Sequence, residues 1–313
     1  MLPENRYELI QTVEVTGRQG ICCENGFYWV SGSASLAKYD SSWTLLALNE
    51  DPFLGYETRV NHIADIDVYE NELYIGAEYF MDGVGENIQI AVYDADTLEL
   101  KRTFPFCEES GQLECSGIAV DPNTRSVWMC SWVGEESGRY LYRYDLETGA
   151  YLGRVHMQMP PQWIQGIACY DGWIYLTADD GTADDGEPDH LYRTKVPEGT
   201  SNCTVTLERT FDDVILQGEI EGLTFDKEKE QLLVLFNRAR GSFWVCRRVF
   251  TRDTTERSPK SICSISLKET KKPAHEKQTR QFKHIELPRL FFDSHLCLFC
   301  SSGDGIRLAS TFP

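Results

Sequence analysis

The chain has 313 residues, 42% of them hydrophobic and 12% aromatic, with a net charge of −19. That is enough apolar material for a packed core and too much for wholesale disorder. The acidic balance excludes nucleic-acid phosphates and anionic membranes as ordinary partners.

No apolar run reaches the length that crosses a bilayer. The start, Met1-Leu2-Pro3-Glu4-Asn5-Arg6, lacks a basic segment followed by an apolar one, so a cytoplasmic location is expected. Eleven cysteines form an odd set without framework spacing and read as reduced thiols, several of them within apolar strands.

Along the chain, residues 7–15 read as a strand with no partner nearby. Five segments of one pattern follow, each a polar residue, usually a small one, an apolar strand, a turn and a second apolar strand. They begin at Gln19-Gly20-Ile21, Asp65-Ile66-Asp67, Ser116-Gly117-Ile118, Gln165-Gly166-Ile167 and Glu221-Gly222-Leu223. Such an interval suits one four-stranded propeller blade. Asn25-Gly26 and Asp171-Gly172 between apolar runs read as tight hairpins, because these residues accept positive φ. Third strands end in Tyr39-Asp40, Tyr93-Asp94 and Tyr144-Asp145, and fourth strands are expected at residues 98–104, 151–157 and 205–211. The expected fold is an all-β propeller over residues 1–240, with five four-stranded blades. The N-terminal strand completes the last blade and removes an exposed edge.

Beyond Arg238 the pattern stops. Residues 1–238 carry 42 acidic and 16 basic side chains, whereas residues 239–313 carry 7 and 14. Residues 241–313 are therefore expected to be an aberrant basic tail, either disordered or translated out of frame.

In a propeller the first strands line the central channel, and the loops joining fourth to first and second to third strands share one face. The residue before the small position then recurs around the channel mouth, giving Gln19, Asp65, Ser116, Gln165 and Glu221, with Arg18, His62, Glu114 and Glu219 near them. Asp65, Glu114 and Glu221 are candidate catalytic carboxyls for acid–base hydrolysis. Asp65, Ser116 and Glu221 are candidate oxygen ligands for calcium. Second strands are expected to run out into acidic loops at residues 78–82, 131–136 and 179–187, which add Glu78, Tyr79, Trp132 and Asp179 to Gln19, His62 and Gln165 as candidate ligand-binding residues. Tyr79 and Trp132 read either as a stacking platform or as packing between blades. The glycines after Asp179 fall at the wrong offsets for an EF-hand. The chain contains no nucleophile elbow, P-loop, dinucleotide fingerprint or HExxH motif.

The five starts, with the hairpins at Tyr93-Asp94-Ala95-Asp96-Thr97 and Tyr144-Asp145-Leu146-Glu147-Thr148, resemble the broad group of NHL-like, YncE-like and SMP-30 (gluconolactonase)-like propellers. In SMP-30-like hydrolases a carboxylate near the first blade start helps to hold a divalent metal. Gln19 stands at that position here, a departure from the pattern. A polar ring around calcium also resembles five-bladed apyrases. Two functions follow as expectations. One is a propeller that binds a small-molecule or protein ligand at an acidic central pocket. The other is a calcium-dependent hydrolase of a small ester, lactone or glycosidic substrate.

Overall fold

The computed structural model describes residues 6–133, 136–181, 186–199, 202–214, 218–237 and 242–249. By its contacts the chain divides into two units, Met1–Thr255 and Glu256–Pro313, and the second lies outside the described residues. The same is true of the expected tail from residue 250 onward and of part of the acidic loops, at residues 134–135 and 182–185.

The described chain is all-β in a propeller arrangement, with only two single-turn 3-10 segments. The first sheet is an antiparallel meander of β2 (Ile21–Glu24), β3 (Phe27–Gly32), β4 (Ser35–Tyr39) and β5 (Leu45–Asn49). The second contains β6 (His62–Tyr69), β7 (Glu72–Met81), β8 (Val84–Asp94) and β9 (Leu100–Phe104). The third contains β10 (Gly117–Asp121), β11 (Ser126–Cys130), β12 (Tyr140–Asp145) and β13 (Tyr151–Gln158), with β17 (Asn202–Thr204) parallel to β13 at its edge. The fourth contains β14 (Ile164–Tyr170), β15 (Trp173–Ala178), β16 (His190–Lys195) and β18 (Thr206–Thr210). A last sheet joins β19 (Glu219–Asp226), β20 (Gln231–Asn237) and β21 (Ser242–Val249) to β1 (Arg6–Glu14), which pairs antiparallel with β21. The strand pattern thus continues to Val249, past the boundary expected at residue 240. Pairing with the preceding β20 on one side and with the sequence-distant β1 on the other holds β21 in place.

Turn chemistry sets the hairpins. Asn25 and Gly26, Glu70 and Asn71, and Asp171 and Gly172 all have positive φ, the geometry of a two-residue turn that matches strand twist. After the third strands, Asp94 Oδ1 accepts the amides of Asp96 and Thr97, and Asp145 Oδ1 those of Glu147 and Thr148. These bonds turn the chain into its next strand.

The core lies in seams between neighbouring sheets. Trp29, Leu36 and Cys22 meet Ile66, Leu73 and Tyr93 at the first seam. Ile220, Leu223 and Phe236 meet Ala168, Tyr175 and Leu191 at the fourth. Leu233 and Leu235 of β20 pack on Ile21, Tyr28 and Val30 of the first sheet. The inner strands touch in cyclic order, with β2 against β6, then β10, β14, β19 and β2 again.

Register corrects one sequence expectation. Ile66 pairs with Ile75 as Ile21 pairs with Val30, Ile118 with Met129, Ile167 with Leu176 and Leu223 with Val234. Asp65 is therefore equivalent to Gly20, Gly117, Gly166 and Gly222, and Ala64 takes the polar position of the second sheet. The backbone agrees: Asp65 N–H donates to the Ser116 carbonyl as Gly222 N–H donates to that of Gln19. The mismatch arises because the second sheet carries a carboxyl where the others carry glycine and an alanine where they carry a polar side chain; its bulge between Ile63 and Ile66 recurs at Ile164/Gly166 and Ile220/Leu223.

Candidate functional site

The five inner strands converge on a glycine ring with one substitution. A Cβ on Gly222 would lie 2.4 Å from Asp65 Oδ1, one on Gly20 2.7 Å from it, and one on Gly166 3.1 Å from Asp65 Oδ2. Glycine is needed at these positions because a single carboxyl fills the space they leave. Asp65 Oδ1 accepts the Ile66 amide at 2.9 Å, and Oδ2 accepts that of Ile167 at 3.1 Å. Burial drives the Asp65 pKa well up, and the amides of Ile66, Ile167 and Ile118 oppose that.

On one side of this ring lies a cavity of about 230 Å³. Its wall is formed by Gln19, Ala64, Ser116, Gln165 and Glu221 from the strand starts, with Asp65 below. His62, Phe80, Glu114, Trp132 and Glu219 complete it. The expected ring residues are thus brought together, Asp65 from one position further along its strand. Of the neighbours singled out in the sequence, His62, Glu114 and Glu219 line the cavity. Arg18 is exposed and binds Asn237 Oδ1 at 3.3 Å.

A hydrogen-bonded chain crosses the wall. Glu78 is fully buried behind His62, with Oε1 3.3 Å from Nδ1, and its Oε2 accepts the Cys115 amide. Burial pushes Glu78 up to about 8 and His62 down to about 4, so at neutral pH this contact is a neutral hydrogen bond rather than an ion pair. His62 Nε2 lies 2.6 Å from Gln19 Oε1, which only accepts, so the ring proton sits on Nε2 and the Glu78 hydroxyl donates to Nδ1. Gln19 Nε2 then donates to Glu221 Oε1 at 3.2 Å.

The remaining carboxyls are held in similar fashion. Glu114 Oε2 accepts the Trp132 amide at 2.5 Å and the Ser131 hydroxyl at 3.2 Å. Glu219 accepts from Gln165 Nε2 at 2.5 Å and Asn237 Nδ2 at 3.5 Å. Burial is the largest cause raising Glu114, Glu219 and Glu221, reinforced for Glu114 by Glu78 and for Glu221 by Glu219. Among the described residues, neither lysine nor arginine lines the cavity.

Three sequence candidates lie off this wall. Glu78 acts through His62. Tyr79 points away from the cavity and carries the Arg59 guanidinium 3.9 Å above its ring. Asp179 is half-buried beside Asp189, and burial followed by that neighbour pushes it up to about 8. The loop expected at residues 78–82 also differs. Residues 78–81 belong to β7 and pair with β8, so strand alternation separates Phe80 from Tyr79. Phe80, missed in the sequence, was readable from that alternation once β7 extended so far. Among the described residues, no group of three or more His, Cys, Asp or Glu is arranged to hold a metal ion. The cysteines there are free thiols. No helix among them is long and apolar enough to cross a membrane.

No family model and no curated protein sequence matches the chain. Solved propeller-type structures do resemble it. Glutaminyl cyclase from Myxococcus xanthus superposes with a TM-score of 0.51 at 11% identity, covering 78% of this chain and 97% of that one. The PQQ-bound aldose sugar dehydrogenase of Streptomyces coelicolor gives a TM-score of 0.45 at 10% identity, over 78% and 99% of the two chains. At such identities the likeness concerns the fold alone.

Proposed function

We propose that the chain is a binding protein for a small amine, held as its ammonium ion in the axial cavity. One observation carries this: Glu114, Glu219 and Glu221 face a shared small space that, among the described residues, no lysine or arginine lines. Burial favours the neutral form of these carboxyls in the empty site, and an arriving cation favours their ionisation. Trp132 and Phe80 supply aromatic walls for an alkylammonium group. The volume lies below that of drug-sized sites, which suits a small ligand or a head group.

Calorimetry with ethylamine tests the reading. Binding is expected to tighten between pH 6 and pH 8.5 with proton release, and Glu221→Gln to weaken it about tenfold. Ethanol, the uncharged control, should give no heat. Equal binding of ethanol, or none of ethylamine, ends the proposal.

A second reading is acid–base catalysis in the same cavity, supported by the Glu78 carboxyl that titrates near neutrality and reaches the cavity through His62. The hydrolase expected from the sequence, with Asp65, Glu114 and Glu221 as its candidate catalytic carboxyls, belongs here, as does the cyclisation named for the Myxococcus enzyme. Turnover of a glutaminyl peptide or a simple lactone, lost in Glu114→Gln, is its assay. The calcium version, with Asp65, Ser116 and Glu221 as ligands, is less well supported, because both Asp65 oxygens already accept backbone amides. A rise in Tm with calcium alone would favour it over the amine.

The finer architecture belongs to the same proposal: a ring of five blades, the last closed by β1. Five sheets, the cyclic contacts of their inner strands and the seam of Leu233 and Leu235 against the first sheet support it.

A further inference from the structure

Beside the axial cavity, over the third and fourth sheets, lies a cleft of about 320 Å³. Trp132 lines both spaces, so the two share one wall. Trp163, Pro160, Pro161 and Arg139 form most of the rest. Trp163 leaves 42% of its surface open to solvent, and the neighbouring Met159 leaves 81%.

The segment that presents them is fixed in an uncommon shape. Met159 and Trp163 both have positive φ, at 58° and 51°, which costs free energy in a side-chain-bearing residue. Two prolines between them restrict the backbone further. The Trp163 carbonyl is tied down by the Asp179 amide at 3.0 Å. Across the cleft, the Gly138 amide donates to the Val133 carbonyl, and a Cβ on Gly138 would lie 2.6 Å from that oxygen. An open indole on a braced backbone keeps its apolar face available without rearrangement.

We infer that this cleft receives the apolar arm of the ligand whose ammonium head sits in the axial cavity, so the preferred ligand is an arylalkylamine or a comparably apolar-tailed amine. The inference rests on the amine reading of the cavity. Complementarity divides the ligand in two. The acidic cavity takes the charge, and the indole-lined cleft, which adjoins it at the Trp132 side chain, takes uncharged surface that water would otherwise cover.

The experiment compares ethylamine, 2-phenylethylamine and 4-phenylbutylamine by calorimetry on the full chain, in the wild type, Trp163→Ala and Glu221→Gln. The arm-bearing amines are expected to bind about tenfold or more tighter than ethylamine. Trp163→Ala should remove most of that gain while leaving ethylamine affinity unchanged, and Glu221→Gln should weaken all three amines alike. Trp163→Phe, which keeps an aromatic face, should restore part of the gain. Ethylamine binding without any gain from the arm overturns the cleft assignment and leaves the cavity reading intact. A gain that survives Trp163→Ala also overturns it. Failure of every amine to bind overturns both.

Discussion

Glu78 concentrates the electrostatic tension of the site in one side chain. It is buried with a hydrogen-bonding histidine that burial keeps neutral, and the single amide of Cys115 that favours its carboxylate does not offset the burial. Its folded pKa, about 8, lies above the unfolded value of 4.5. The stability it contributes is thus fully present below about pH 4.5 and is lost as pH rises through 8. Glu78→Gln keeps a donor toward His62 Nδ1 and cannot ionise. Thermal melts of wild type and variant between pH 5 and pH 9 should therefore diverge. The wild type is expected to lose about 4 kcal/mol more over that range, roughly 10 °C in Tm. Parallel curves would mean that Glu78 is not the buried neutral acid described above. His62 has the opposite sign, since its depressed pKa adds stability above pH 6.5 that is lost as pH falls through about 4. Above pH 6.5 the His62 contribution is constant, so divergence there reports Glu78 together with Glu114, which the Glu78 charge pushes up.

Among the elements, the inner strands carry the closest tolerances. A methyl group on Gly222 would meet Asp65 Oδ1, the Gly20 Cα at 2.7 Å and the Gln19 carbonyl oxygen at 2.9 Å. Two of these are backbone atoms of a neighbouring sheet and have no rotamer by which to yield. Gly222→Ala should cost about 3 kcal/mol in urea unfolding, whereas Gly172→Ala, at an open hairpin turn, should cost less and only through its positive φ. Equal costs would deny the crowding at the ring.

The legibility of each element follows from how local its cause is. Asn25-Gly26 and Asp171-Gly172 announce their hairpins within two residues, because positive φ is a property of the residues themselves. Asp65 falls one position beyond its expected place, because a carboxyl standing at a glycine position resembles in sequence the polar residue that precedes it, and only pairing with β7 tells the two apart. β21 was hidden for the same reason: its partners are β20 and the distant β1. Within the site, convergence of Gln19, Ser116, Gln165 and Glu221 was legible because a repeat places like residues alike. The chain from Glu78 through His62 to Gln19 was not, because it crosses between two sheets.

For the molecule as a whole, β1 supplies the outer strand of a sheet whose other members come from residues 219–249. Deleting residues 6–14 would bare the full length of β21 and uncover the seam at Val13 and Val15. The truncated chain is expected to self-associate through that edge, eluting as oligomers and losing protease resistance. A monomer as resistant as the parent would show that the sheet does not need β1.

The Asp65 ring has a kinetic consequence. A separate cavity of about 340 Å³ opens at the far ends of the same inner strands, lined by Asp67, Cys169, Phe225 and Asp226. The side chain wedged between the glycines walls off one chamber from the other. A molecule occupying the upper chamber must therefore back out the way it came. Residence time is then governed on the side of the ring where the Trp132 indole stands.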